Sequence, residues 1–394
     1  MQAEIPIGWT ESTLGQLFSW SSGKKPTFER EATGRFPVFG SNGVLGYGPE
    51  SNVERAFLIG RVGASGSIHV AHGAAWASDN TLVAEPISGS GDFDYLHQML
   101  RSLDLASYAT QTAQPLLTQG RLKRVSVALP PLSEQKKIAA VLASVDEAIR
   151  ATEAVIEQTR RVKEGLLQDL LTRGIGHSRF KMPGRWVVGR LPEVEEIPDS
   201  WDIVPICDVA RLESGHTPSR SVEEYWGGEI QWLSLHDTKR MERHVISSTA
   251  LTITPAGIAS SSARLLPEGT VALSRTATVG KCVILGTEMA TSQDFACYVC
   301  GDRLHNKYLL HLFRYMQHVW AALSGGSTHQ TVYMPAFEKL QIVLPPMPEQ
   351  IRIAELMDAH DQEVLASMGQ VDQLRQLKAG LLQDLLTGAV RVSP

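Results

Sequence analysis

The sequence predicts two globular mixed α/β (α+β) domains separated by two long antiparallel helices that form a coiled coil, with a pseudo-twofold internal repeat. Three observations carry the prediction. The stretch LPPLSEQKKIA at 129–139 returns as LPPMPEQIRIA at 344–354. KEGLLQDLLT at 163–172 returns as KAGLLQDLLT at 378–387 at the same offset of 215, so a helix-length segment is duplicated without a gap. Within each copy the apolar positions step by four and three, the heptad period of a helix that packs along another. The boundaries follow from the repeat: a first globular part at 1–131, a helical spacer at 132–174, a linker at 175–196, a second globular part at 197–346 and a second spacer at 347–390.

In the first globular part, short apolar runs bounded by glycine or polar turns predict strands around 36–39, 56–59, 68–70 and 81–83, and the spacing of Tyr95, Leu96, Met99, Leu100 and Leu103 predicts a helix. The second part repeats this with strands around 230–233, 271–273, 283–285 and 296–299, then a helix through Leu309, Leu312, Met316, Val319 and Trp320. Weaker matches tie the two parts together. IPIGW at 5–9 pairs with IPDSW at 197–201, and SGKKPT at 22–27 with SGHTPS at 214–219, both at an offset of 192. Arg61 and Gly66 match Arg275 and Gly280 at 214, while Tyr95, Leu96 and Arg101 match Tyr308, Leu309 and Arg314 at 213. The jump in offset locates an insertion of about 22 residues between 219 and 270.

Each long helix starts sharply after a Pro-Pro pair. Ser133 reads as the N-cap with Glu134 favourable to the first-turn dipole, and Pro348 takes the equivalent place in the second copy, where the first-turn N–H groups have no partner to lose. The seam runs Ile138, Leu142, Val145, Ile149, Thr152, Ile156, Thr159, Lys163, Leu166, Leu170, and again Ile353, Met357, His360, Val364, Ser367, Val371, Leu374, Lys378, Leu381, Leu385. About 39 residues at 1.5 Å each give roughly 58 Å of helix. The polar seam residues either fix register at a cost in stability or mark a solvated flank. Gly165 and Gly380 each cost about 1 kcal/mol relative to alanine, which a close helix crossing or a docked partner would offset. An antiparallel pair places the globular parts at opposite ends and acts as a ruler; the competing arrangement packs each helix on its own domain.

Composition narrows the class. The 394 residues are 43% apolar, enough for two or three packed domains, with no uninterrupted apolar run of membrane-spanning length and no N-terminal secretion signal, so a soluble cytoplasmic protein is expected. Cys207, Cys282, Cys297 and Cys300 have no first-half counterparts and read as buried free thiols, since a lone C-x-x-C does not complete a zinc site. The net charge is −5, of which 134–172 contributes −1 and 349–387 contributes −4. The globular parts are therefore neutral overall, and without a broad basic footprint they would bind DNA only through clustered cations and with help from partners.

Two variable domains, each followed by an LPPxxEQxxIA helix that ends in K-x-G-L-L-Q-D-L-L-T, resemble the specificity subunit of a type I restriction-modification enzyme over nearly the whole chain. The resemblance implies that each globular part is a target-recognition domain reading one half of a bipartite, asymmetric double-stranded DNA target. It further implies that the helices set the gap and dock two methyltransferase subunits that use S-adenosylmethionine, and that motor-nuclease (restriction) subunits using ATP and Mg join for cleavage. No cofactor, metal or membrane is implied for the chain itself.

No catalytic residues stand out. An amino-methyltransferase of DNA carries Asp or Asn before Pro-Pro and an aromatic, whereas here Leu129 and Leu344 precede the pairs and Leu132 and Met347 follow them. Gly23-Lys24-Lys25 and Gly280-Lys281-Cys282 do not complete a P-loop, GASGS at 63–67 reads as a hairpin turn, and no H-E-x-x-H is present. The competing readings are a stand-alone DNA-modifying or cleaving enzyme and a coiled-coil scaffold with ligands other than DNA.

Arginine reads guanine edges and Asn or Gln reads adenine edges, while Lys, Ser, Thr and backbone amides serve phosphates. Polar loops at corresponding places therefore supply the DNA-binding candidates: Lys24, Lys25, Asn42, Arg61, Ser65, Asn80, Gln111 and Gln114 in the first part, and His216, Arg220, His236, Lys239, Arg275, Lys281, Gln293, His329, Gln330 and Tyr333 in the second. For each, the bland reading is a solvated surface residue. Arg61 and Arg275 recur at aligned positions beside glycines, with an internal ion pair as their bland role.

Overall fold

The computed structural model describes residues 5–110, 115–184, 195–324 and 331–392. It divides into two compact units, residues 1–154 with 367–394, and residues 155–366. The long helices are Leu132–Thr172 and Met347–Thr387. Each unit thus takes one globular part, the first half of the helix that follows it, and the last half of the other helix.

In the first unit, Phe18–Ser22, Thr81–Pro86, Ala56–Gly60 and Ile68–Ala71 form an antiparallel four-stranded sheet in that spatial order. A second sheet joins Gly43–Gly48, Phe36–Gly40 and Trp76–Ala77, the last pair parallel. Thr10–Thr13 pairs with Ser126–Leu129 and so fixes both ends of the globular part beside the Pro-Pro boundary. The helix Phe93–Ser102 is capped by Asp92, whose carboxylate accepts from the backbone N–H groups of Asp94 and Tyr95, and buries Tyr95, Leu96, Met99 and Leu100. These join Phe57, Ile59, Ile138, Leu142 and Leu385 in one core, so segments of both long helices belong to the domain's interior.

The second unit repeats the plan with additions. Ala210–Ser214, Phe295–Cys300, Val271–Ser274, Cys282–Leu285 and Val245–Ile246 make a five-stranded sheet, and Leu251–Ile253, Trp226–Leu233 and Ala290–Thr291 a three-stranded one. Val245–Ile246 and Leu251–Ile253 both lie in the insertion that the shifted offset located. The helical run predicted through Trp320 is two helices, Asn306–Tyr315 and Gln317–Leu323. Leu167, Leu170, Leu171, Ile353 and Met357 enter this unit's core alongside Tyr308, Leu309 and Phe313.

Within each unit the helix segments run antiparallel. Lys378 Nζ lies 2.6 Å from Asp146, and Arg375 bonds Glu153 at 2.7 Å, so numbers fall on one helix as they rise on the other. In the second unit Lys163 pairs with Asp361, the repeat equivalents of Lys378 and Asp146. The seam lysines therefore carry register through specific ion pairs, and for these two residues the solvated-flank alternative is set aside. All of Ile138, Leu142, Val145, Ile149, Ile156, Leu166, Leu170, Ile353, Met357, Val364, Val371, Leu374, Leu381 and Leu385 are buried or half-buried. Their setting is mixed: the ends of the seam pack into domain cores as well as along the partner helix.

Three local expectations are corrected. The mid-chain helix begins at Leu132, so Pro131, not Ser133, flanks it, while Glu134 does lie in its first turn, with its carboxylate accepting from Trp9. A Cβ at Gly165 or Gly380 would meet nothing within 4 Å, so no close crossing offsets their cost. Of the four free cysteines, Cys207 is exposed and Cys300 half-buried; only Cys282 and Cys297 are fully buried, and burial pushes their thiols up to about 11 and about 12.

The seam pairs give a direct test. Lys378→Glu should cost about 2 kcal/mol or more of stability, because it places a second carboxylate against half-buried Asp146, and adding Asp146→Lys should recover most of the loss. Urea midpoints of the two variants read this out.

Candidate nucleic-acid interface

In the first unit four loops meet at one edge of the two sheets. The Ser41 hydroxyl donates to Asn80 O at 2.9 Å, Arg61 N donates to the same carbonyl at 2.9 Å, and Ser41 O accepts from His69 at 3.0 Å and from the Ser67 hydroxyl. Lys24 N donates to Ala77 O, and Trp76 Nε1 donates to Lys24 O at 2.8 Å. Lys24, Lys25, Asn42 and Asn80 are exposed, while Arg61 and Ser65 are half-buried. The fold thus gathers Lys24, Asn42, Arg61, Ser65 and Asn80 from four separate loops, with Lys25 beside Lys24. Gln111 and Gln114 lie outside the described residues.

The second unit builds the same edge. His216 N donates to Thr291 O, the equivalent of Lys24 to Ala77, and Trp232 Nε1 donates to His216 O at 3.1 Å. Arg275 N donates to Asp294 O as Arg61 N does to Asn80 O, and Val332 N donates to Arg275 O as Leu117 N does to Arg61 O. Thr217 bonds Gln293 at 2.6 Å, His236 lies 3.3 Å from the Ser234 hydroxyl, and Lys281 Nζ reaches Thr238 O at 3.5 Å and Glu242 at 3.7 Å. His216, Arg220, His236, Lys239, Gln293 and Tyr333 are exposed, and Arg275 and Lys281 half-buried. Arg220, in the loop after Ser219, has no part in these bonds, and His329 and Gln330 lie outside the described residues.

Among the described residues, neither arginine makes the internal ion pair that was its bland reading. Arg275 Nε donates to Gln293 O at 2.8 Å and its Nη1 to Val332 O at 3.3 Å, so the guanidinium ties three loops through backbone carbonyls. The neighbouring glycines are demanded by geometry: Gly66 and Gly280 hold φ of 85° and 91°, a region that L side chains avoid. Gly23 and Gly215, in the repeated SG motif, pass so close to Ser78 O and Thr291 O that a Cβ would sit 2.0 and 1.8 Å away.

Sequence reasoning missed two arrangements. In the first, Glu134 accepts from Trp9 Nε1 at 3.2 Å and bidentately from Arg391 at 2.8 Å. The Arg391 hydrogen bonds hold the Glu134 carboxyl below its usual range. Its equivalent Glu349 accepts from Trp201 Nε1 at 2.9 Å, His177 at 2.8 Å and Ile175 N at 2.9 Å. The next residue repeats too: Gln135 accepts from Asp92 N, and Gln350 from His305 N, both at 2.8 Å. The EQ pair of the LPPxxEQ motif therefore ties each helix start to its domain. A signal existed in the matching Trp9 and Trp201.

The second is a buried node in unit two, which the histidines' scatter in sequence concealed. His244 places Nδ1 3.0 Å from Asp358 and Nε2 2.8 Å from Asp361, so one ring bridges the two carboxylates. His311 and Lys307 also bond Asp358, at 3.0 and 2.7 Å, and Lys163 bonds Asp361. Burial alone would raise both carboxyls, but the hydrogen bonds from His311 and Lys307, and from His244 and Lys163, outweigh it and hold them well below the carboxylate range. His244, His311 and Asp361 bring ligand-type atoms within 4.8 Å of one another, yet both carboxylates already hold lysine ammonium groups.

The surface that results can present polar side chains and backbone amides to a groove, and among the described residues no helix is long and apolar enough to cross a membrane. The family model for the type I restriction modification DNA specificity domain matches residues 6–159 and 198–374. The MjaIX specificity subunit of Methanocaldococcus jannaschii is 29% identical over 208 residues, covering 52% of this chain and 48% of that one, so this match spans about half the relative's length. The MjaVIII specificity subunit of the same organism is 21% identical over 417 residues, covering 98% and 94%. Among solved structures, the S subunit from M. genitalium shares the fold with a TM-score of 0.61 at 12% identity, over 98% of this chain and 99% of that one. A chain from a study of type I R-M assembly and conformational transition gives 0.63 at 17% identity, over 98% and 100%. The chain belongs to the type I restriction modification DNA specificity domain family, whose named members here are specificity subunits, the non-catalytic parts of type I restriction enzymes.

Proposed function

We propose that the chain is the DNA-reading subunit of a type I restriction-modification complex, with target-recognition domains at 1–131 and 197–346 that each read one half of a bipartite, asymmetric target. The observation that carries this reading is the duplicated loop edge, built on the same backbone hydrogen bonds but carrying different side chains. Lys24 and His216 occupy one equivalent place, and the strand pairing makes Asn42 and His236 another. A constant scaffold with unlike reading residues suits an unsymmetrical pair of half-sites. The helical spacers at 132–174 and 347–390 set the gap between them.

The same reading supplies partners. Val162 and Leu377, repeat equivalents, are 53% and 52% exposed, and each lies three residues before an open glycine, Gly165 or Gly380. An apolar side chain beside a bare backbone, kept in both copies, suits two identical docked subunits, here two methyltransferase subunits that bring S-adenosylmethionine. Restriction subunits with ATP and Mg complete the complex. The setting is the cytoplasm.

Sequencing the methylated bases of a host that expresses this chain with its methyltransferase tests the reading. A bipartite motif with a fixed gap is the expected result, and inserting one heptad into both helices should widen the gap by about 3 base pairs, since seven residues add roughly 10 Å of helix. A continuous motif, or an unchanged gap, would refute it.

A further inference from the structure

We propose that the cleft at each junction of domain and long helix seats a DNA backbone phosphate, so that the spacer helices grip the duplex beside each half-site as well as separating the domains. This rests on the DNA-reading function above and deepens it.

In the first unit the cleft has a volume of about 350 Å³ and is lined by Arg101, Asp146, Arg375 and Lys378. In the second it measures about 480 Å³, and its charged lining is Arg160, Lys163, Glu164 and Arg314. The repeat offsets make Arg101 the equivalent of Arg314, Arg375 of Arg160, and Lys378 of Lys163. Three cations, two from a long helix and one from the end of the domain helix, thus recur around both cavities. The residues on the loop edges have diverged over the same span: Lys24 against His216, Asn42 against His236, and Thr118 against Tyr333. That contrast separates two kinds of contact. Phosphates are identical in every half-site and bases are not, so a contact kept in both copies while its neighbours change has the signature of backbone binding.

The electrostatics permit it. Lys378 and Lys163 are committed to Asp146 and Asp361 and serve as fixed positive walls. Arg375 pairs with Glu153 across side chains that are 59% and 45% exposed, a solvated pair worth little on its own. A phosphate can replace it with a bidentate, charge-assisted contact. In the second unit the cleft also adjoins the glycine loop: Arg314 Nη2 donates to Arg243 O at 3.1 Å and Cys282 O at 3.5 Å, and Gln317 Nε2 donates to Gly280 O at 2.9 Å.

The test uses the chain in complex with its methyltransferase, the motif defined by methylation sequencing, and two versions of the cognate duplex, one carrying neutral methylphosphonates at the phosphates flanking each half-site on the gap side. The variants Arg101→Gln with Arg375→Gln, and separately Arg160→Gln, are chosen because each replaces an exposed side chain. The first should weaken binding about tenfold on any sequence and reduce the dependence on log salt by about 1 to 2 units, with the methylated motif unchanged. Neutral phosphates should reproduce the loss in the wild type and add nothing to the variant. Wild-type affinity and salt dependence in both variants would overturn the proposal, as would a loss fully additive with phosphate neutralisation. A wild-type complex with no preference for its methylated motif over random duplex would instead sink the underlying DNA-reading function.

Discussion

Replacing Glu349 by alanine is expected to lower the stability of the second unit by about 3 kcal/mol or more, the range for removing one partner of a buried charged network. Three donors converge on this carboxylate, whose side chain is only 13% exposed: the indole of Trp201, the ring of His177 and the backbone N–H of Ile175. Trp201 is fully buried, so its N–H cannot turn to water. Glu349→Gln retains an acceptor oxygen and should lose about half as much. Glu134→Ala is expected to be milder although Glu134 holds the equivalent place, because its partner Arg391 is 42% exposed and can be rehydrated. Urea unfolding followed by tryptophan fluorescence measures the series; equal losses at the two glutamates would show that the network around Glu349 is not what holds the helix start.

Acidification should destabilise the wild-type chain through the node around Asp358 and Asp361, and Asp361→Asn should blunt this while lowering stability at neutral pH by about 2 to 4 kcal/mol. Both carboxyls are held below their ordinary value in the folded chain, so the unfolded chain takes up protons first as the pH drops. Their contribution is complete above the unfolded carboxyl value near 3.9 and drains as the pH falls through and below it. His311 acts in the same direction and earlier: burial disfavours its imidazolium and lowers it from 6.5, so unfolding gains a proton as the pH falls past that value. The groups that face the node are His244, His311, Lys307 and Lys163. Melting temperatures from pH 8 to pH 3 should show wild type and Asp361→Asn converging on the acid side. A constant difference across that range would mean that the carboxylate is not the titrating element.

The first unit supplies an internal control for that node. Ala143 stands where the second has Asp358, and the seam lysine Lys378 with Gln98 is enough to hold Asp146. The helix-to-domain junction can therefore be built without histidine, which is why nothing in the shared pattern announced the node.

The sequence by itself determined the duplication, the two long helices with their seam, most of the strands, and through them the family. Those signals are periodic and local, so they survive without knowledge of what lies opposite: Ile138, Leu142 and Val145 declare a helix face before any partner is known. Tertiary structure alone decided how the loops converge and how each helix is tied down. Trp76 and Trp232 do the same work, clamping the carbonyls of Lys24 and His216, but they sit on different, adjacent strands of their sheets, so no offset aligns them. Arg275 is a DNA-contact candidate in sequence, and only strand order brings the carbonyls of Gln293 and Val332 to its guanidinium. Such meetings join residues tens to hundreds of positions apart through hydrogen bonds that depend on side-chain direction, and a linear pattern holds no record of direction.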